Sequence, residues 1–322
     1  MRLPWGRIFL CYLRTALPGR QLWALKLRSP FIREAGAGEN MTTHRHKPVM
    51  VVTGASSGIG KATAQALANE DAQVVLVCRS AQKGQQALED IQKNVPQANL
   101  KLHLADLSSM QEVKRLAEEL KTKYPVIDVL INNAGLIPGA LQTTPDGWEV
   151  AWATNHLAPF LLTNLLMDPL LAAEQGRVVN VTSEAHRLGQ IDFAHAGTPQ
   201  KYSAITAYAD SKLANILFTY ELARRTEFTN VTVNCLHPGV VATNFGNNSN
   251  FFIKSAMQLG RIFLKSPAKG AQTSVFLATS PYLKKTSGKY YKNKMPTTSS
   301  ADSMNAHVAR RLWDLSAEQT GF

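Results

Sequence analysis

The sequence predicts a single doubly wound α/β domain built on a mostly parallel, seven-stranded sheet. Two patterns carry that expectation. Short runs rich in branched apolar residues alternate with amphipathic stretches, and a glycine-rich turn follows the first of those runs. The runs are Val49–Thr53, Gln73–Cys78, Leu100–Leu104, Val129–Asn132, Arg177–Thr182 and Val231–His237, with a further strand and loop around Tyr290. Between them lie the helical patterns Gly60–Asn69, Lys83–Asn94, Met110–Tyr124 and Tyr208–Arg225. Strands without polar alternation, separated by helices, imply βαβ units and a sheet buried on both faces.

Composition agrees. The 322 residues are 45% apolar and 18% charged, too apolar and too sparsely charged for a disordered chain. One large domain plus an extension fits the length. The longest N-terminal apolar run, Ile8 to Leu13, is fenced by Arg7 and Arg14 and falls well short of the roughly 18 residues of a spanning helix. The three cysteines, Cys11, Cys78 and Cys235, form no Cys-x-x-Cys pair, which argues against a disulfide scaffold or thiolate metal site and for a reducing compartment.

The net charge of +12 is uneven: residues 1–40 hold seven Lys/Arg against Glu34 and Glu39. Residues 1–45 therefore read as a basic leader: a mitochondrial transit segment, an interfacial membrane anchor, a disordered extension, or sequence upstream of a start at Met41. Residues 46–322 hold the folded domain. The positive sign suits phosphate-bearing ligands or an anionic membrane surface. No basic-aromatic module or zinc pattern points to nucleic acid.

The first strand runs straight into Thr53-Gly54-Ala55-Ser56-Ser57-Gly58-Ile59-Gly60 and then a helix. Glycines at such a turn let the backbone approach a pyrophosphate, whose charge is held at the helix N-terminus. This is a Rossmann-type signature, so Gly54, Ser56, Ser57, Gly58, Ile59 and Gly60 are expected to hold a dinucleotide. An acid at the end of the second strand would select the ribose hydroxyl of NAD. Here that strand ends Val77-Cys78-Arg79, and no carboxylate appears before Glu89. A guanidinium pairs with a 2′-phosphate and an acid repels one, so Arg79, with Lys83 beside it, favours NADP(H).

Further motifs extend the pattern: Asn132-Asn133-Ala134-Gly135, Asn155, Ser183, Tyr208-x-x-x-Lys212 and Pro238-Gly239. Together with the glycine turn they resemble the short-chain dehydrogenase/reductases. Four stretches narrow the likeness to the NADP(H)-dependent retinol dehydrogenase-like branch: Thr154–Leu157 with Phe160–Leu166, Val179–His186, Ser211–Asn215 and Ala309–Trp313. The resemblance covers roughly residues 47 to 322. Two positions depart from it. Ala158-Pro159 stand where relatives usually carry Gly-His, and Thr182 replaces the first of a Ser-Ser pair. Pro159 is compatible with a helix if it lies in the first turn.

Tyr208 and Lys212 are four apart, hence on one face if helical, and an ammonium beside a phenol lowers its ordinary pKa of about 10. A second Tyr-x-x-x-Lys, Tyr290 and Lys294, lies in strand-and-loop context and is expected to be coincidental. The resemblance implies the roles. Tyr208 is the general acid/base and Ser183 a hydrogen-bond donor to the substrate oxygen. Lys212 binds the nicotinamide ribose, and Asn155 holds a water that relays protons from Lys212. It also implies that Asp106 and Leu107 face the adenine and that Asn132, Asn133, Ala134 and Gly135 flank the adenosine side. Pro238, Gly239, Val241 and Thr243 would surround the carboxamide. His156, His186 and His237 are expected to pack or hydrogen-bond, with no metal required.

Residues 244–267 carry Phe245, Phe251, Phe252, Met257 and Phe263 among Lys254, Arg261 and Lys265, the composition of a substrate lid over a lipophilic ligand or of a membrane-contacting surface. The function expected is NADP(H)-dependent interconversion of a lipophilic alcohol and carbonyl of the retinol/retinaldehyde kind. The alternatives are a non-catalytic NADP(H)-binding scaffold, or reduction of a steroid, a xenobiotic ketone or a chlorophyll-precursor double bond. A homodimer follows by analogy with relatives. Cytoplasmic, peripheral-membrane and mitochondrial placements all remain open to the sequence.

Overall fold

In order along the chain, the strands are β1 Val49–Thr53, β2 Gln73–Cys78, β3 Asn99–Leu104, β4 Val129–Asn132, β5 Arg177–Val181, β6 Thr232–His237, β7 Tyr290–Lys292 and β8 Met295–Thr297. They form one sheet of order β3-β2-β1-β4-β5-β6-β7-β8, parallel except for the β7–β8 pair. The structure is a computed structural model that describes residues 47–239 and 266–322. The leader, Val241, Thr243 and all but the last two residues of the expected lid lie outside the described residues.

Helices cover both faces: α1 Gly58–Ala68, α2 Ala81–Asn94, α3 Met110–Lys123, α4 Val150–Trp152, α5 Ala158–Leu165, α6 Met167–Ala172, α7 Ala204–Arg225, α8 Pro267–Thr279 and α9 Ala306–Thr320. Period-two alternation divides the strands between two cores. Val49 and Val51 of β1 pack with α3, α5, α7 and α9, whereas Met50 and Val52 pack with α1, α2 and α8. Since both faces are covered, β1, β4, β5 and β6 are buried along their whole length, as apolar runs without alternation require. The chain turns to opposite sides of the sheet after β1 and β4, so the carboxyl ends of these neighbours open the crevice in which doubly wound sheets bind ligands.

Among the described residues the sheet has eight strands, one more than the sequence predicts. Asn293 and Lys294 both adopt positive φ (52° and 64°), the two-residue hairpin geometry whose twist matches the flanking strands. The added strand is three exposed residues centred on Pro296, tolerated at an edge where its missing N–H has no ladder to break. Lys294 thus sits in a turn while Tyr290 lies on β7, and the second Tyr-x-x-x-Lys shares no helical face. Pro159 falls in the first turn of α5, as its geometry demands.

The helical side of the core closes on aromatic packing. The Phe160 ring is fully buried, with its centroid 5.0 Å from that of Trp313 in α9 and 5.5 Å from that of Phe218 in α7. Phe160→Ala is expected to destabilise the fold by about 3–5 kcal/mol in urea unfolding, with an unchanged m-value.

Candidate active site

The glycine turn is fixed from below by Thr53 at the end of β1. Its Oγ1 accepts from the main-chain N–H groups of Asn133 and Ala134, both at 3.0 Å, and Asn133 Nδ2 donates back to Thr53 O at 2.8 Å. The loops after β1 and β4 are thereby tied together. Gly54 holds φ +66°, and a Cβ on Gly60 would fall 2.3 Å from Gly54 O, so helix α1 packs against its own turn only because a side chain is missing. Ser57 caps α1 without a side-chain hydrogen bond, and the first turn has no acid. Its orphan N–H groups form an anion site at the mouth of a cleft of about 600 Å³.

That cleft brings together the residues singled out by motif. The glycine turn, Arg79 and Lys83 wall one part. Asp106, Leu107 and Asn133 to Gly135 form another, and Ser183, Tyr208, Lys212, Pro238 and Gly239 close the far end. Arg79 and Lys83 are exposed, and among the described residues neither has a carboxylate within ion-pair distance. Asp106 keeps its Oδ1 occupied by Ser108, accepting from N at 3.0 Å and Oγ at 2.7 Å, so it shapes the loop after β3. Asn132 instead points into the core, donating to Thr163 Oγ1 (2.9 Å) and Asn180 Oδ1 (2.8 Å).

Ser183 follows β5 directly, and its hydroxyl hydrogen-bonds the Tyr208 phenol on α7. Lys212, one turn further along α7, is 3% exposed and donates from Nζ to Val181 O at 3.1 Å. The ammonium lies 5.5 Å from the centroid of the Tyr208 ring. Burial pushes the Tyr208 phenol up to about 12, with the Ser183 hydrogen bond pulling the other way. Burial likewise brings Lys212 down to about 8. Desolvation dominates both groups, and the ammonium is directed at a carbonyl.

Ser183 is anchored on either side. His186 Nδ1 donates to Ser183 O at 2.6 Å while its Nε2 accepts from Ser300 N at 3.1 Å. Glu184 accepts from Tyr290 Oη at 2.8 Å and Arg187 Nε at 2.9 Å. Burial alone would raise Glu184, but those two bonds and the Lys292 charge outweigh it and hold the carboxyl at about 2. His237 accepts from Glu184 N through Nδ1 (3.3 Å), and His156 is bonded at both ring nitrogens. The histidines thus hydrogen-bond and pack.

Asn155 lies below Gly135, next to the Ser183–Tyr208–Lys212 cluster. It is fully buried and lies beneath the cleft instead of lining it. Its Oδ1 accepts from Leu136 N at 2.8 Å, and its Nδ2 donates to Leu136 O and Ser211 Oγ, both at 3.0 Å. Its main-chain carbonyl accepts from Asn215 Nδ2 at 2.6 Å. With these groups committed to protein partners, Asn155 clamps the loop after β4 to α7. The sequence reading gave no role to Thr53, Ser211 or Asn215. Ser211, Asn215 and Thr219 are spaced four apart and fully or almost fully buried, a polar stripe on the inner face of α7 that was the available signal.

Comparison with known proteins agrees with this geometry. The family model described as short chain dehydrogenase matches residues 48–252. The chain is a short-chain dehydrogenase. Curated relatives place it in the retinol dehydrogenase-like branch. Human retinol dehydrogenase 14 is 39% identical over 292 residues, spanning 86% of this chain and 87% of the relative. Human retinol dehydrogenase 13 is 40% identical over 278 residues, 84% of each. Mouse retinol dehydrogenase 12 is 38% identical and covers 92% and 94%. Among solved structures, an uncharacterized protein from Mycobacterium paratuberculosis superposes with TM-score 0.70 at 31% identity, covering 85% of this chain and 93% of that one. A Shigella flexneri short chain dehydrogenase complexed with NADP superposes with TM-score 0.62 at 25% identity, covering 77% and 97%.

In this short-chain dehydrogenase the lowered Lys212 pKa has a stability consequence. Between about pH 8 and 10.5 the unfolded chain holds that proton and the folded chain releases it, so the Lys212 contribution to stability rises with pH. Lys212→Met is expected to be more stable than the parent at pH 7 by about 1–3 kcal/mol, with the gap closing towards pH 10 in matched urea titrations.

Proposed function

We propose that the chain is an NADPH-dependent reductase of lipophilic aldehydes and ketones of the retinaldehyde kind. The observation that carries this reading is the Ser183–Tyr208–Lys212 cluster at one end of a cleft whose other end offers Arg79 and Lys83 without acid partners among the described residues. The relatives' names support the substrate class, and the bound NADP of the Shigella structure supports the cofactor.

The residues present fit a phosphorylated dinucleotide. A glycine turn that Cβ atoms would fill and an uncapped helix N-terminus suit the pyrophosphate, and Arg79 and Lys83 suit the 2′-phosphate. When bound, the nicotinamide supplies the hydride that converts the carbonyl carbon to an alcohol carbon. The chain manages the oxygen. Ser183 Oγ donates to the carbonyl oxygen and orients it beside the phenol. At pH 7 a phenol held near 12 is fully protonated, so Tyr208 is poised to give its proton to the developing alkoxide. Lys212, still largely cationic at pH 7, stabilises the phenolate that results. A protonated tyrosine favours the reductive direction. The +5 balance of residues 1–40 suits an anionic bilayer surface, where a lipophilic substrate would be dissolved.

Tyr208→Phe is expected to abolish NADPH-dependent reduction of retinaldehyde while leaving the NADPH dissociation constant within about twofold, since the phenol acts on the substrate. Retained turnover would overturn the mechanism. Arg79→Ala is expected to raise the NADPH KM by about tenfold or more, with little change for NADH, because only the phosphorylated cofactor loses a charged hydrogen bond.

A further inference from the structure

The π-helical turn Ala153–Leu157, which joins α4 to α5, carries a backbone problem set by the proline that follows it. In the α-helical register the carbonyl of Asn155 would accept from the N–H of residue 159, but that residue is proline and has none, and only a π-type bond from Phe160 would replace it within the helix. The α-type donor to this buried carbonyl is therefore missing. Asn215 supplies the donor from α7, with Nδ2 at 2.6 Å from Asn155 O. That contact fixes the amide, because a carbonyl only accepts. Asn215 Oδ1 must then face His156 Nδ1, 3.3 Å away, so Nδ1 carries the hydrogen.

His156 is fully buried against Trp152 (ring centroids 4.8 Å apart) and near Phe160 and Phe218, and burial pushes its pKa down to about 4. The ring is neutral, Nε2 is bare, and it accepts from Ser316 Oγ in α9 at 2.8 Å. Ser316 Oγ is also placed to donate to Leu312 O at 2.8 Å; with Nδ1 of His156 protonated, its single proton turns instead to the bare Nε2. On the other side of Asn215 the chain continues through the Asn155 main chain and side chain to Ser211 Oγ, which donates to Tyr208 O at 2.7 Å.

We infer that His156 and Asn215 are positioning residues for the reaction, holding the Asn155 clamp and the Tyr208 backbone in register with the C-terminal helix. The inference rests on the proposed reductase reading. A leucine or phenylalanine at 156 would fill the same aromatic surroundings without needing partners. The polar pair instead fixes one geometry, because each of its donors has one acceptor.

The test is a set of three variants in the full-length chain, read by retinaldehyde kcat, NADPH dissociation constant and Tm. Asparagine places an N–H near the histidine Nδ1 position and glutamine mimics Nε2. His156→Asn should therefore keep kcat within about threefold, while His156→Gln and Asn215→Leu lose about tenfold or more, the size of one unmet buried hydrogen bond. NADPH affinity should stay within about twofold in all three. Parent-like kcat in His156→Gln, or kcat and NADPH affinity falling together in every variant, would overturn the inference. Should Asn215→Leu fail to fold, the two His156 variants still decide. Imidazole ¹⁵N spectra of the parent, with His156 assigned by difference from His156→Asn, give an arm independent of turnover. Protonated Nδ1 is expected, and protonated Nε2 would break the chain. Parent protein that binds NADPH and shows the expected tautomer but reduces no carbonyl would sink the proposed function, and the positioning role with it.

Discussion

The pairing of Ser183, just past the end of β5, with Tyr208 on α7 is the contact the rest of the architecture serves. The two residues come from elements that meet only because β5 is fully buried between β4 and β6 while α7 lies across the same face. Each is then fixed independently of the other. Ser183 is held through its main chain by His186 and through its neighbour Glu184 by Tyr290 of β7. Tyr208 is held through its own carbonyl by Ser211. An error of an ångström in either support would separate a serine and a phenol that have to face the same oxygen atom.

The electrostatics follow from the burial that this precision requires. Removing Tyr208 and Lys212 from water raises one pKa and lowers the other, so both groups are held towards their neutral forms. Each then resists its charged form, so charge developing on a substrate oxygen becomes the most favourable partner available to both. At the other end of the cleft the arrangement is reversed: Arg79 and Lys83 are exposed and have no carboxylate within ion-pair distance among the described residues. An exposed cation has little to lose on meeting a phosphate, which makes it suited to discrimination between cofactors and unsuited to chemistry.

Much of this was legible in the sequence because strands buried on both faces leave an unmistakable apolar signature. All six strands picked out by their apolar runs match the observed ones to within one residue, and the further strand expected around Tyr290 is β7, which begins at that residue. The β8 strand escaped notice because three exposed residues around a proline carry no periodicity. The beginning of α7 was missed because its first turn, Ala204 to Thr206, is largely exposed and is set by the Ser203 cap and not by an apolar stripe. For the site, motif spacing identified which residues line the cleft among those described. Spacing does not encode hydrogen-bond partners, however. That Asn155 spends its amide on Leu136 and Ser211, and that Asn132 turns into the core, depends on strand register and helix rotation, which only the folded chain fixes.

The central claim is that this cleft transfers hydride from NADPH to a carbonyl carbon while Tyr208 supplies the proton. The most direct measurement is mass spectrometry of the alcohol formed from retinaldehyde with NADPH carrying deuterium at the transferred position of its nicotinamide ring. One carbon-bound deuterium in the product, absent when the same label is supplied with the Tyr208→Phe variant, is the predicted result. Product without carbon-bound label, or labelled product formed equally well by Tyr208→Phe, would contradict the account.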